Sequence, residues 1–160
     1  MGLTAWTALP GMAVAPEEFV DATVGRLVIA RVGDKGGLAE AAQMAAAGFG
    51  SPVEMMRGLL VSELLGIGMA FYLGRVEGDP VATAVGFRVG DDLGIFGVAT
   101  PPEHRRRGYG AAITAHAVRS GFETGADMAW LQTSPVAESI YRALGFRHVV
   151  SHAMLARPTP

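Results

Sequence analysis

Three arginines and two closely spaced glycines, Arg105-Arg106-Arg107-Gly108-Tyr109-Gly110-Ala111-Ala112, stand a few residues after the apolar run ending in Val98-Ala99-Thr100. That run reads as a strand, Pro101 and Pro102 turn the chain, and the glycines open a helix. The first turn of a helix presents N–H groups without partners and a partial positive charge, so it binds phosphate without a dedicated side chain. Gly108 and Gly110 bring no Cβ to hold a pyrophosphate off those amides. The arginines add local positive charge. By itself an arginine run is a solvated basic loop; the glycines set this one apart.

A second group is Tyr141, in Ser134-Pro135-Val136-Ala137-Glu138-Ser139-Ile140-Tyr141-Arg142-Ala143-Leu144-Gly145-Phe146. A phenol with a pKa near 10 stays neutral at pH 7 and can protonate a strongly basic leaving group. Its spacing from Ile140 and Leu144 also suits an ordinary core aromatic. His104, His116, His148 and His152 fall on different elements with no i, i+4 pair, so no metal site is expected. Gly33-Asp34-Lys35-Gly36-Gly37 lacks the third glycine and the alternating strand and helix pattern of a dinucleotide loop.

Composition bounds these readings. A chain of 160 residues suits one domain, with a core that needs no covalent staples. The chain has no cysteine, which removes disulfides, thiolate zinc sites and a cysteine nucleophile. A net charge of -2 gives no global field for nucleic acid or an anionic membrane. Half of the residues are apolar, yet charged residues or glycine pairs interrupt every run before the roughly 20 residues of a spanning helix. With no secretory pattern at the start, a cytoplasmic protein is expected. Lys35 is the only lysine beside many arginines, alanines and glycines, a composition that points to a bacterial source.

The elements that must position these groups follow from periodicity. Residues 1–25 are the least readable, a possible strand and linker punctuated by Pro10, Gly11 and Pro16. Leu27 to Val32 reads as a buried strand and Gly37 to Ala47 as an Ala-rich helix. Ser51-Pro52-Val53-Glu54 reads as a capping box opening an amphipathic helix to Leu64. Met69 to Val76, Pro80 to Val89 and Leu93 to Thr100 form an antiparallel meander. Then come a helix from Gly108 to about Phe122, a strand from Ala126 to Thr133, a helix from Ser134-Pro135 to Leu144, and a strand from Phe146 to Ala156. Together they make an α/β (α+β) fold, layered around one sheet.

Arg105-x-x-Gly108-x-Gly110 after a strand, Tyr141-x-x-Leu144-Gly145-Phe146 downstream and this element order resemble the GNAT superfamily of N-acetyltransferases. That family's acyl-CoA signature is Gln/Arg-x-x-Gly-x-Gly/Ala at a helix start. The resemblance implies a mixed, mostly antiparallel sheet with helices on both faces, spanning residues 26–157 before a tail at 158–160. Two parallel strands would splay to hold the donor, helped by Gly94 and Gly97. It assigns Val98, Ala99 and Thr100 to the pantetheine arm, and Arg105, Arg106, Arg107, Gly108, Tyr109, Gly110 and Ala111 to the pyrophosphate. Ser134 would contact the cofactor and cap its helix, where the family often has Asn. Tyr141 would be the general acid. No carboxylate lies within Leu93 to Thr100, so the general base is unassigned among Glu63, Asp127, water or an amine that arrives neutral.

The implied activity is transfer of acetyl from acetyl-CoA to a primary amine of a small molecule or peptide, by direct attack in a ternary complex. A homodimer is compatible with this. The alternative is a non-catalytic or regulatory domain that binds acyl-CoA.

Overall fold

The computed structural model describes residues 4–156. Residues 1–3 and the tail expected at 158–160 lie outside the described residues. The strands are β1 (Thr4–Val14), β2 (Val28–Arg31), β3 (Met69–Val76), β4 (Asp79–Val89), β5 (Asp92–Ala99), β6 (Met128–Gln132) and β7 (Arg147–Ala156). The helices are α1 (Lys35–Phe49), α2 (Val53–Leu59), α3 (Tyr109–Glu123) and α4 (Glu138–Ala143), with short 3-10 turns at Pro16–Glu18, Ser62–Gly66 and Pro102–His104.

All seven strands join one sheet in the order β2-β3-β4-β5-β6-β1-β7. Every neighbouring pair is antiparallel except β5 and β6, which run parallel. The hard-to-read first segment thus supplies an internal strand, held between β6 and the edge strand β7. β1 pairs with β6 through Gly11↔Gln132 to Val14↔Ala129, and with β7 along most of its length.

Strand alternation divides the core between the two faces. On one face Tyr72, Ala82 and Ala84 join Ile113, Ala117 and Val118 of α3. On the other, Phe71, Leu73 and Val85 join Leu38 and Ala41 of α1. Helix α1 starts two residues earlier than expected because Asp34 caps it, accepting a hydrogen bond from the Gly37 N–H at 2.8 Å. That carboxylate occupies the helix end, which removes Gly33 to Gly37 as an anion loop.

The expected capping box before α2 does not form. Pro52 is the N-cap with no side-chain hydrogen bond. Ser51 instead donates its N–H to Ala46 O at 3.0 Å, closing α1 over Gly50, whose φ is +65°. The helix expected to reach Leu64 ends at Leu59, and a 3-10 turn follows. Leu60 at the break packs into the cores on both sides of α1.

Candidate functional site

Strands β5 and β6 pair only from Asp92↔Met128 to Ile95↔Leu131. Beyond that rung β6 is drawn towards β1, where the Thr133 N–H donates to Pro10 O at 3.0 Å. β5 meanwhile carries an irregularity against β4 between the pairs Val85↔Phe96 and Thr83↔Ala99. Gly97 sits in it with φ +57°, the left-handed conformation that a bulge demands and a side chain resists. The two strands therefore separate after Ile95. Among the described residues the β6-facing backbone groups of residues 96–99 have no strand partner, a free edge of N–H donors and C=O acceptors.

β5 leads through Pro101 and a 3-10 turn straight to α3. Gly108 is the N-cap with φ +80°, and no side chain caps the helix. The first backbone bond across this end is from the Ala112 N–H to Gly108 O at 3.0 Å. The N–H groups of Tyr109, Gly110 and Ala111 precede it and are free to meet a ligand. α1 and α3 thus begin in opposite ways: a carboxylate caps one N-terminus, and no side chain among the described residues caps the other.

The two glycines differ in what they serve. A Cβ on Gly108 would lie 3.1 Å from Val24 Cγ2, in a left-handed residue, so the fold itself asks for glycine there. A Cβ on Gly110 would meet only Thr100 Oγ1 at 3.6 Å, an ordinary contact. Glycine inside a helix costs roughly 0.5–1 kcal/mol relative to alanine. At Gly110 nothing within the chain offsets that cost, which points to an outside group passing close to the backbone.

The arginines do not act as one cluster. Arg105 turns away from the helix end: its Nε donates to Thr100 O at 3.1 Å and its Nη2 to Gly48 O at 2.8 Å. It therefore ties the last turn of α1 to the end of β5 as a brace. Gly48 fits this junction because a Cβ there would fall 2.8 Å from Ala99 Cβ. Arg106 and Arg107 are exposed and make no side-chain hydrogen bond or ion pair among the described residues. Arg106 holds φ +63°, an uncommon conformation for a side-chain-bearing residue, at the point where the loop bends toward the helix.

A consequence can be measured. Arg105→Ala should lower unfolding free energy by about 1 kcal/mol in urea titration, since two exposed charge-assisted bonds are lost. Arg105→Lys should not restore it, because one ammonium cannot reproduce the fork that spans two carbonyls. Full stability in both variants would show that the brace contributes nothing.

The other expected site residues divide as follows. Tyr109 is only 7% exposed and its ring belongs to the core, so its backbone N–H alone faces the site. Ala99 is buried, and Val98 packs against the same core. Ser134 is exposed but caps nothing: α4 begins at Glu138, with Ala137 as N-cap and no side-chain cap bond. A turn closed by the Ala137 N–H to Ser134 O bond, 3.1 Å, takes the place of the expected first helical turn.

Tyr141 lies on α4, reached from the separating end of β6 through that turn. It is 9% exposed and packs edge-on against Phe146, ring centres 6.1 Å apart. Burial raises its pKa above the ordinary value of 10, so the phenol keeps its proton throughout the neutral range. Its hydroxyl makes no hydrogen bond among the described residues, yet no buried polar side-chain atom there lacks a partner, so this hydroxyl reaches solvent.

Both carboxylates considered as bases stand elsewhere. Glu63 lines a cavity of about 310 Å³ with Lys35, Leu38 and Arg57, at the N-terminal end of α1. Gly48, which touches Thr100, is ten residues from Leu38, or about 15 Å along the helix. Asp127 precedes β6 at the paired end of β5 and β6, with its N–H bonded to Asp91 O. Among the described residues no group of His, Asp and Glu could hold a metal, and no helix is long and apolar enough to cross a membrane.

Two residues that sequence reading passed over stand at the separation. Phe96 and Trp130 are each 39% exposed, with ring centres 5.3 Å apart and planes at 88°. The only sequence signal was two aromatics in neighbouring strands, which periodicity reads as core.

Residues 55–146 match the family described as Acetyltransferase (GNAT) family. Comparison with curated proteins found no match. Among solved structures, the chain is 28% identical to a GCN5-related N-acetyltransferase from Kribbella flavida, with a TM-score of 0.79, covering 99% of this chain and 61% of that one. It is 16% identical to a GCN5-related N-acetyltransferase from Sphaerobacter thermophilus, with a TM-score of 0.78, covering 96% of this chain and 52% of that one. AAC(6')-Iy, solved with the bisubstrate analogue CoA-S-monomethyl-acetylneamine, shares the fold at 19% identity and a TM-score of 0.67, covering 84% of this chain and 99% of that one. The chain thus spans less than two thirds of the length of the first two proteins. With the uncapped helix following the splayed strand, and with more than half of its residues in the family match, the chain belongs to the acetyltransferase (GNAT) family.

Proposed function

We propose that the chain is an acetyl-CoA-dependent N-acetyltransferase that acetylates a primary amine of a small molecule or peptide by direct attack in a ternary complex. The observation that carries this reading is the vacant N-terminus of α3 at the mouth of the gap between β5 and β6, with Gly110 opening it for no reason internal to the fold. The pyrophosphate of the donor would lie on the amides of Tyr109, Gly110 and Ala111 beside Arg106 and Arg107. The pantetheine arm would add to the free edge at Val98, Ala99 and Thr100.

The donor supplies an activated acyl group. The amine nitrogen attacks the thioester carbonyl carbon, the C–N bond forms and the C–S bond breaks. Tyr141 hands its proton to the departing sulfur, and the nitrogen releases a proton to water. Backbone donors along the gap would stabilise the charge that develops on the carbonyl oxygen. Without cysteine no thioester can form on the enzyme, which favours direct transfer. The same reading treats residues 26–157 as the acetyltransferase unit, working in the bacterial cytoplasm and compatible with a homodimer.

Gly110→Glu tests the cradle. A carboxylate near a helix N-terminus is favourable to the helix, so the variant should fold as stably as its parent. Against a diphosphate the same charge is repulsive, a cost of several kcal/mol. Acetyl-CoA affinity by calorimetry should fall by about two orders of magnitude or more. Unchanged affinity would remove the assignment. The alternative of acyl-CoA binding without turnover draws on the unassigned general base, since no carboxylate lies within Leu93 to Thr100. Thiol release from acetyl-CoA across a panel of amines separates the two.

A further inference from the structure

Helix α1 covers β3, β4 and the end of β5, whereas on the same face of the sheet Trp130 on β6 and Val150 on β7 lie open. Strand register fixes what lines this open strip. One row across the sheet reads Phe87↔Gly94, Gly94↔Trp130, Trp130↔Ala13 and, on the outermost strand, Ala13↔Arg147. The next reads Gln132↔Gly11 and Gly11↔Val150, with Phe96 across the gap from Gln132. Neither row holds a carboxylate, and the one charged residue, Arg147 on the outermost strand, is paired with Glu18 at 2.6 Å.

At the last paired rung the two exposed rings meet at 88° and form a corner. The corner is built in: a Cβ on Gly94 would lie 2.5 Å from Phe96 Cε2 and 3.0 Å from Trp130 Cζ2. Glycine at that position lets the Phe96 ring lie down over the strand and meet Trp130. Such a corner offers one ring face and one ring edge to a flat guest, the two arrangements that aromatic pairs prefer. It faces away from α3, and it adjoins the gap where the acyl group would be delivered.

We propose that Phe96 and Trp130 form the acceptor-binding shelf, and that the acceptor is an amine carried on an aromatic body. This rests on the acetyltransferase reading above and names its substrate class. The aromatic body stacks in the corner and the amine projects into the gap. A strip without a carboxylate gives a polycation no counter-charge.

The test is steady-state transfer from acetyl-CoA to 2-phenylethylamine, glycinamide and spermidine, with acetyl-CoA binding followed separately by calorimetry. The native protein should favour 2-phenylethylamine at least tenfold in kcat/KM over the other two. Phe96→Leu and Trp130→Leu should each cut its ratio to glycinamide roughly tenfold, mainly through KM, with acetyl-CoA affinity unchanged. If either variant fails to fold, the selectivity of the native protein still decides. Equal use of the three amines, transfer only to other amines of a wider panel, or variants that lower all three in proportion, would overturn the shelf alone, whereas acetyl-CoA binding with transfer to no amine of that panel would overturn the acetyltransferase reading and the shelf with it. Absence of acetyl-CoA binding in the native protein would overturn the acetyltransferase reading beneath it.

Discussion

Tyr141→Phe should lower kcat by about two orders of magnitude while leaving acetyl-CoA affinity within a factor of two of the parent. A general acid contributes roughly 10²–10⁴-fold, and the substitution removes one oxygen from a ring held by its neighbours. Because that hydroxyl has no hydrogen-bond partner among the described residues, stability should change by no more than about 0.5 kcal/mol. Loss of rate with retained fold and retained donor binding would isolate the proton transfer. The pH profile adds an independent check. Burial raises the phenol pKa from its ordinary value, so the parent should keep its acid form, and its rate, across the neutral range, with any alkaline decline from this group displaced to higher pH than for a free phenol. A variant with the parent's kcat would make Tyr141 a core aromatic and nothing more.

How far the sequence reveals this site depends on the range of the contacts involved. The α3 end was legible because its signal is local: a strand, a proline turn and two glycines within a few residues of one another. The role of Arg105 was not, because its partner Gly48 lies 57 positions away and only the folded sheet brings them together. Ser51 shows competition at shorter range. Its side chain and the Pro52 and Glu54 that follow satisfy a capping rule, yet its N–H was taken by the closing turn of α1.

The first strand was hard to read for the same physical reasons. Pro10 lacks an N–H and Gly11 has weak strand preference, but both are accommodated in β1. Pro10 needs only its carbonyl, which accepts from Thr133, and Gly11 leaves room for Val150 and His152, which its Cβ would meet at 2.7 and 2.9 Å. Phe96 and Trp130 failed the opposite way. Apolar residues in strands read as buried, and only the tertiary layout shows that half of one face is uncovered. Exposed aromatics whose placement costs a glycine are therefore more informative about acceptor binding than the buried ones.

Gly145→Ala should be among the most damaging single substitutions in the chain, lowering unfolding free energy by about 3–5 kcal/mol of the 5–15 kcal/mol typical of a domain. Gly145 has φ +91°, which costs a residue with a Cβ roughly 1–2 kcal/mol. The added Cβ would also sit well inside contact distance of Glu18 O, a backbone atom that no rotamer change can move aside. The segment after β1 must therefore shift, straining the bond from the Val20 N–H to Leu144 O at 3.0 Å and the packing that seats α4 and Tyr141. Gly78→Ala separates the two causes, since Gly78 has nearly the same dihedral, φ +95°, and open space around the new Cβ. It should lose only the conformational share, and the excess loss at Gly145 in urea titration measures the contact with Glu18. Equal losses at the two positions would mean that the segment following β1 does not pack on the turn between α4 and β7. The fixed seat of α4 and of Tyr141 upon it would then need another source.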